Sequence, residues 1–310
     1  MPKAYTYTRH GGPEVETFAD LPRPVPGPGE LLIAVRTAGV NPVDWKRREG
    51  YRPLGAPAPE LPTVFGGEAA GVVEQVGEEV EGFAVGDAVF GNTVAGGYAE
   101  YALLPVSIAA HKPAEVSWAD AATLPIAAAT AYDGVLQLAL PPGSTLLITG
   151  AGGGVGGAAV QIAVHLGLRV LGTASAGKKE FVESLGAVHI ASGPGVVERL
   201  RAAAPQGVDG VYDLVGGSTL EEAAELLADR SKLISGGDRE TVAKLGGAPV
   251  TRERTSVVLD AVAQLTAAGV LRPFVTAVFP LDQAGDALRT VEEGHARGKT
   301  VIEIPVAEQA

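Results

Sequence analysis

The chain has 310 residues, of which 46% are hydrophobic and 19% charged, with a formal net charge of −12 and no cysteine. This length suggests two domains, and the composition is typical of a packed globular protein. The acidic balance argues against a nucleic-acid or anionic-membrane partner, and the lack of cysteine excludes disulfides, thiolate nucleophiles and cysteine-ligated zinc. Because no run of about 20 apolar residues could span a bilayer, we expect a cytoplasmic protein.

The first part of the chain is predicted to be β-structure. Residues 1–115 combine short β-prone runs with Gly- and Pro-rich turns, a pattern that indicates strands joined by turns. The segment GYRPLGAPAPELP (50–62) is predicted to be a long surface loop, and long loops are often functional. The predicted strands are ELLIAVRTAGV (30–40), EAAGVVEQVG (68–77), DAVFGN (87–92) and YAEYALLP (98–105).

The middle of the chain alternates strand-like and helix-like runs, which predicts a parallel, doubly wound α/β sheet. The predicted strands cover 145–149, 169–174, 188–192, 210–215 and 232–237. The predicted helices cover 155–167, 177–186, 196–204, 219–229 and 256–268. From Pro273 the pattern is β-like again, at 274–281 and 299–306, around one helix. We therefore predict one domain from residues 1–115 and 271–310 and a second domain from residues 116–270.

A run of glycines lies between the strand at 145–149 and the helix that follows it. In the stretch TLLITGAGGGVGGAAVQIA (145–163), the turn lets backbone N–H groups and the positive end of the helix dipole approach a dinucleotide pyrophosphate. Two registers fit, GxGxxG at Gly152, Gly154 and Gly157 and GxxGxxG at Gly150, Gly153 and Gly156. We favour the second, because it places Gly153 at the tight turn after the strand and Gly156 in the helix's first turn.

The choice of dinucleotide depends on the residues after the next strand. An NAD site has an acidic residue about 20 positions after the glycine turn, but here that place is Thr173 and no acid appears before Glu180. Ser175, Lys178 and Lys179 stand there instead, and a hydroxyl and two ammonium groups would attract a 2′-phosphate. We therefore predict NADP(H); the alternative is that the lysines only solvate the start of a helix.

Further cofactor contacts are expected at the strand ends, because ligands bind outside the carboxyl ends of parallel strands. Val215 ends one predicted strand and Gly236 ends another. The residues predicted from the chain's own pattern to bind the cofactor are Gly150, Ala151, Gly153, Gly154, Val155, Gly156, Ser175, Lys178, Lys179, Val215 and Gly236.

Several segments, in the same order along nearly the whole chain, resemble the zinc-independent quinone oxidoreductases, the zeta-crystallin-like branch of the medium-chain dehydrogenase/reductase superfamily. The resemblance implies a GroES-like β-barrel catalytic domain, a Rossmann-type NADPH-binding domain and a homodimer or larger homo-oligomer. The segments that carry it are GGPEVETFADLPRPVPGPGELLIAV, AGVNPVDWKRREG, EAAGVVEQVGEEVEGFAVGDAVFG, GGYAEYALLP, TLPIAAATAYDGV, TLLITGAGGGVGGAAVQ and VFPLDQAGDALRTVEEGHARGKTVIEI.

The resemblance also implies site residues. It places Asn41, Asp44 and Tyr51 near the nicotinamide end of the cofactor as candidate catalytic residues, and Thr130 on a linking helix beside the nicotinamide. Asn41 would bind the acceptor oxygen or the nicotinamide amide, and Tyr51 would donate a proton or a hydrogen bond. Each has a structural alternative, since Asn-Pro is a common turn former, Asp44 can cap the following helical turn and Tyr51 can simply pack.

No metal site is predicted. The resemblance extends to the superfamily's zinc enzymes, and it indicates which positions would carry the metal ligands. Asn41 stands at the first of these positions, and Gly67 stands where a histidine would precede Glu68. The five histidines are scattered without ligand spacing, whereas catalytic zinc needs about three protein ligands. Without a Lewis acid, hydride transfer suits acceptors that spread the incoming charge by conjugation, such as quinones and α,β-unsaturated carbonyls.

These observations predict a zinc-free oxidoreductase that transfers hydride from NADPH to a quinone. One alternative is a 2-alkenal or enoyl reductase on the same scaffold, which reduces an activated C=C bond. The other is a non-catalytic protein that binds NADPH without turnover. Acceptor-dependent oxidation of NADPH distinguishes the enzymes from the binding protein.

Overall fold

The computed structural model describes residues 1–52, 58–94, 96–294 and 298–305. The chain divides into two compact units, the first formed by residues 1–126, 254–267 and 274–310, the second by residues 127–253 and 268–273. Part of the predicted loop at 50–62 and the last residue of the predicted strand at 299–306 lie outside the described residues. No helix within the described ranges is long and apolar enough to cross a membrane.

The strands and helices follow the predicted order. The strands are β1 (Lys3–Tyr7), β2 (Glu16–Asp20), β3 (Glu30–Val40), β4 (Thr63–Val64), β5 (Glu68–Val76), β6 (Ala88–Asn92), β7 (Tyr101–Pro105), β8 (Ala109–His111), β9 (Thr145–Ile148), β10 (Arg169–Ala174), β11 (Val188–Ala191), β12 (Gly210–Asp213), β13 (Leu233–Ser235), β14 (Ala248–Pro249), β15 (Val275–Pro280) and β16 (Lys299–Glu303). The α-helices are α1 (Pro42–Arg48), α2 (Trp118–Ala121), α3 (Ala129–Leu138), α4 (Gly154–His165), α5 (Lys179–Ser184), α6 (Val196–Ala203), α7 (Gly217–Ala224), α8 (Arg239–Lys244), α9 (Ser256–Ala267) and α10 (Ala284–Glu292).

The first unit is built on a seven-stranded sheet. Its strand order is β15-β16-β3-β5-β6-β8, and β7 pairs with β3 as well. The strand pairs of this sheet are antiparallel, except that β15 pairs with β16 in parallel. The unit also contains a small antiparallel sheet of order β2-β1-β4. Strands β3 and β5 pair closely because residue 71 is glycine, and a Cβ there would overlap the carbonyl oxygen of Ala34. Helix α9 also belongs to this unit, whereas the sequence interpretation assigned residues up to 270 to the second domain.

The second unit is a doubly wound parallel sheet of order β11-β10-β9-β12-β13-β14. Its inner strands are buried, because helices cover a parallel sheet on both faces and force near-continuous apolar runs. The chain runs outward from β9 through β10 to β11 on one side and through β12 to β14 on the other. The carboxyl end of β9 is therefore the topological switch point, where open α/β sheets bind their ligands.

Candidate active site

The glycine loop follows β9 at this switch point. Gly150 has a φ of +69°, a left-handed conformation that favours glycine, and the N–H of Gly153 donates to the Gly150 carbonyl at 3.1 Å. Gly156 lies in the first turn of α4, where a Cβ would overlap the Gly150 oxygen and lie 2.7 Å from Ala151 Cα. The prediction put the tight turn at Gly153; in the structure the turn begins at Gly150, where φ is positive, and ends at Gly153, which is the N-cap of α4.

The start of α4 fits a pyrophosphate. Helix α4 is 12 residues long, and the N–H groups of Gly154, Val155 and Gly156 have no hydrogen-bond partner among the described residues. A Cβ on Gly153 would meet only the Gly150 oxygen, at 3.5 Å, so the space over the N-cap is open. Unpaired donors at the positive end of a helix dipole are suited to phosphate oxygens.

Lys178 lies against one side of the glycine loop. Its Nζ donates to the carbonyl of Gly152 at 3.1 Å, and a Cβ on Gly152 would lie 2.5 Å from Lys178 Cδ. Ser175 is exposed directly after β10. Lys179 is also exposed, but its ammonium group pairs with Glu183 one helical turn later. The structure thus brings Lys178 to the loop and pairs Lys179 with a residue of its own helix.

The other predicted cofactor residues of this unit lie near the opposite side of the loop or on α3. A Cβ on Gly150 would lie 3.2 Å from Val215 Cγ2, and Val215 is 54% exposed after β12. Gly236 follows β13, and its N–H donates to the Asp213 carbonyl at 2.8 Å. Thr130 is buried on α3, where its carbonyl accepts the Tyr212 hydroxyl at 2.9 Å.

A buried carboxylate that the sequence interpretation missed holds these strand ends. Asp213 is fully buried and accepts hydroxyl hydrogen bonds from Thr149 and Ser235, each at 2.6 Å. It also accepts the N–H of Gly216 at 3.0 Å, so it joins the ends of β9, β12 and β13. The sequence signal that could have revealed this role of Asp213 is the presence of three hydrogen-bonding side chains at the carboxyl ends of three apolar strands.

In the first unit, Asn41 and Asp44 lie together where β3 leads into α1. Asp44 Oδ2 accepts the backbone N–H of Asn41 and the hydroxyl of Tyr98, both at 2.9 Å. Burial raises the pKa of the Asp44 carboxyl to about 6, although the hydrogen bonds from Asn41 and Tyr98 oppose that shift. The carboxyl therefore has a structural role at the helix start, and it takes up a proton at a higher pH than an ordinary aspartate does.

The Asn41 side chain takes part in a buried charged cluster. It is 4% exposed, its Nδ2 donates to Glu68 Oε1 at 2.6 Å, and its Oδ1 accepts from Lys299 Nζ at 2.7 Å. Tyr51, in contrast, is 54% exposed, and its backbone N–H donates to the Lys46 carbonyl at 2.8 Å. The structure thus joins two of the three predicted catalytic residues and places Tyr51 outside their hydrogen-bonded cluster.

Within the described part of the chain, no group of three or more His, Cys, Asp or Glu side chains could hold a metal ion. Residue 67 is glycine, and a Cβ there would lie 3.8 Å from Arg47 Nη1 and 3.9 Å from Asp44 Oδ1. Its nearest neighbour would be the Ile126 Cδ1 methyl group, at 3.4 Å. A reaction without metal stays a prediction.

Two family models match the chain, an alcohol dehydrogenase GroES-like domain at residues 27–114 and a zinc-binding dehydrogenase at residues 185–302. A quinone oxidoreductase from Sus scrofa is 33% identical over 94% of this chain and 94% of its own length. The chain belongs to the quinone oxidoreductase family of the medium-chain dehydrogenase/reductase superfamily.

Other members of the superfamily are similar over the whole chain. A 2-methylene-furan-3-one reductase from Solanum lycopersicum is 34% identical over 97% of this chain and 78% of its own length. A mycobacterial protein whose structure was solved in complex with NADPH is 30% identical, with a TM-score of 0.86 over 98% of this chain and 100% of that one. The predicted family, the fold class and the assignment as an NADPH-dependent oxidoreductase are confirmed.

Proposed function

We propose that this quinone oxidoreductase family member transfers hydride from NADPH to a quinone, which leaves as the hydroquinone after taking up a proton. The observation that carries the proposal is the glycine loop at the switch point. The N–H groups at the start of α4 are unpaired among the residues that the structure describes, and Lys178 lies against the loop. The similarity to the quinone oxidoreductase from Sus scrofa supports a quinone as the acceptor.

Each part of the cofactor has candidate partners in the second unit. We propose that the N–H groups of Gly154, Val155 and Gly156 bind the pyrophosphate, with Gly150, Ala151 and Gly153 shaping the loop. Thr130, Val215 and Gly236 are proposed to contact the rest of the dinucleotide. When bound, NADPH supplies the hydride from its dihydronicotinamide ring.

Lys178, together with Ser175, is proposed to recognise the 2′-phosphate. Of the two lysines suggested by the sequence, Lys178 donates a hydrogen bond to the glycine loop, whereas Lys179 pairs with Glu183. We expect Lys178→Met to weaken NADPH binding about tenfold or more, since hydrogen bonds to charged groups contribute roughly 1.5–3 kcal/mol. NADH binding should change less than about twofold.

Fluorescence titration of both cofactors measures this difference, with Lys179→Met as the matched control. The control removes the ammonium group of the neighbouring lysine and replaces it with a side chain of similar length. It should leave the affinities for NADPH and NADH close to those of the unsubstituted protein. An equal loss of NADPH and NADH affinity in Lys178→Met would show that this lysine only supports the loop. A loss confined to Lys179→Met would assign the 2′-phosphate to the other lysine.

The first unit is proposed to handle the acceptor. Negative charge develops on the quinone oxygen as hydride arrives, and a hydrogen bond from Asn41 Nδ2 would stabilise that charge. The Asp44 carboxyl, whose pKa is about 6, is a candidate proton donor on the acidic side of neutral pH, and the exposed Tyr51 hydroxyl is a second candidate donor. These roles for Asn41, Asp44 and Tyr51 are proposals.

An activated alkene is the second candidate acceptor, and the similarity to the tomato 2-methylene-furan-3-one reductase favours it. Initial rates of NADPH oxidation with a panel of quinones and 2-alkenals separate the two candidates. A higher kcat/KM for quinones supports the proposal, and a higher kcat/KM for 2-alkenals replaces it with the alkenal reductase.

We also propose that the protein is a homodimer and that it is located in the cytoplasm. Light scattering measures the molar mass and so tests the dimer directly.

A further inference from the structure

We propose that Glu68 and Lys299 are positioning residues that hold the Asn41 amide in a single orientation, with one Nδ2 hydrogen left to donate to the acceptor oxygen. This inference rests on the proposed function, in which Asn41 binds that oxygen. Neither residue was predicted as part of the site from the sequence. Both lie in the same unit as Asn41 and are almost fully buried.

The charges of the two neighbours define the amide orientation. An ammonium group can only donate hydrogen bonds, so the Asn41 atom 2.7 Å from Lys299 Nζ must be the oxygen. An ionised carboxylate can only accept, so the Asn41 atom 2.6 Å from Glu68 Oε1 must be the nitrogen. A flipped amide would face both neighbours with the wrong group, which is costly at a buried site.

All but one of the hydrogens on the Lys299 ammonium group and the Asn41 amide group have an acceptor among the described residues. Lys299 Nζ donates to Asn41 Oδ1, to Glu68 Oε1 at 3.0 Å and to the Val40 carbonyl at 3.3 Å, which uses its three N–H groups. Glu68 Oε2 accepts the backbone N–H of Ile126 at 2.7 Å. Among the described residues, only one of the two Asn41 Nδ2 hydrogens has a partner, so the second remains for a ligand.

The backbone around the cluster is arranged for this contact. The carboxylate of Glu68 lies over residue 39, where a Cβ would overlap Glu68 Oε1 and the carbonyl oxygen of Ala122. Glycine at position 39 is therefore required for Glu68 to reach Asn41. The hydrogen bond from the Asn41 N–H to Asp44 fixes the backbone, so side chain and main chain are held by independent contacts.

The pair also polarises the amide. The Lys299 ammonium on Oδ1 draws electron density from the amide, which makes its N–H groups stronger donors in a low-dielectric environment. If Lys299 is replaced by an uncharged side chain, Asn41 Oδ1 loses its donor and the amide is held through Nδ2 by Glu68 alone. The amide can then turn about that single contact, and the remaining hydrogen no longer has a fixed direction.

The test is a double-substitution cycle on quinone reduction with the full chain. We expect Lys299→Met to lower kcat about tenfold while the Kd of NADPH stays within about twofold. In an Asn41→Ala background, Lys299→Met should lower kcat no further, because residues that act through one group are not additive. Lys112→Met is the matched control, since its Nζ also donates to backbone carbonyls of this unit, those of Pro113 and Val116.

Removing one partner of a buried ion pair can prevent folding, whereas removing both charges is often tolerated. The variant Lys299→Met/Glu68→Gln replaces Lys299→Met in the cycle if the single variant is unfolded, and the same non-additivity is expected. An additive loss, or a kcat within twofold of the Lys112→Met control, would overturn the positioning role. Full activity of Asn41→Ala would instead overturn the proposed function of Asn41, so the two failures are distinguishable.

Discussion

Gly156→Ala should abolish tight NADPH binding, weakening it about 100-fold or more. The new Cβ would overlap the Gly150 carbonyl oxygen and lie 2.7 Å from Ala151 Cα, both of which are backbone atoms that cannot rotate away. The turn at Gly150 and the first turn of α4 would have to separate, and the N–H groups of Gly154 and Val155 would lose their alignment. A 100-fold loss corresponds to roughly 2.7 kcal/mol of binding free energy.

The neighbouring glycine supplies the control. A Cβ on Gly157 would meet only side-chain atoms of Leu185 and Phe181, each at 3.5 Å, which is ordinary contact. Alanine also has a higher helix propensity than glycine, so Gly157→Ala should bind NADPH normally and melt at the same or a higher temperature. Fluorescence titration with thermal unfolding measures both variants. Normal NADPH binding by folded Gly156→Ala would contradict the loop assignment.

Asn41→Ala should lower kcat for quinone reduction by about 10- to 1000-fold, the range for one donor at a developing oxyanion. The Kd of NADPH should change little, because the proposed contact is with the acceptor. The fold should persist, since Glu68 and Lys299 remain paired with each other at 3.0 Å. Steady-state kinetics with a fixed quinone and a circular dichroism melt give the two readouts.

Asn92→Ala is the matched control for the loss of an amide from this unit. Its Nδ2 donates to the Gly67 carbonyl at 3.3 Å, and it has no part in the charged cluster. We expect its kcat to stay within about twofold of the unsubstituted value. Unchanged turnover in Asn41→Ala on quinones and 2-alkenals would reduce Asn41 to a turn residue and transfer the acceptor contact to Tyr51 or to the cofactor alone.

The second unit was largely predictable from the sequence, because its signals are local. The strand–glycine–helix pattern around Gly150 and the apolar strands of a parallel sheet each repeat over a few residues. The missing acid before Glu180 likewise indicated NADP(H). The position of the turn within the glycine run was not predictable, because it depends on a φ angle at Gly150 that the letter G alone does not define.

The buried polar clusters were not predictable for the opposite reason. Asn41, Glu68 and Lys299 are far apart in sequence and meet only because β3, β5 and β16 are neighbours in one sheet. Asp213 joins three strand ends in the same way. Pairing between distant strands follows from the whole topology, so a single acidic residue at the start of an apolar strand cannot reveal its partner.

Quinone-dependent oxidation of NADPH tests most directly whether the protein transfers hydride from NADPH to a quinone. The protein, NADPH deuterated at C4 of the nicotinamide and a quinone are mixed, and NADPH loss and hydroquinone formation are followed together. We expect one hydroquinone per NADPH, no oxidation without acceptor, and a slower reaction with the deuterated cofactor when hydride transfer limits the rate. If NADPH binds tightly but is not oxidised in the presence of quinones or 2-alkenals, hydride transfer is ruled out and the protein binds NADPH without turnover.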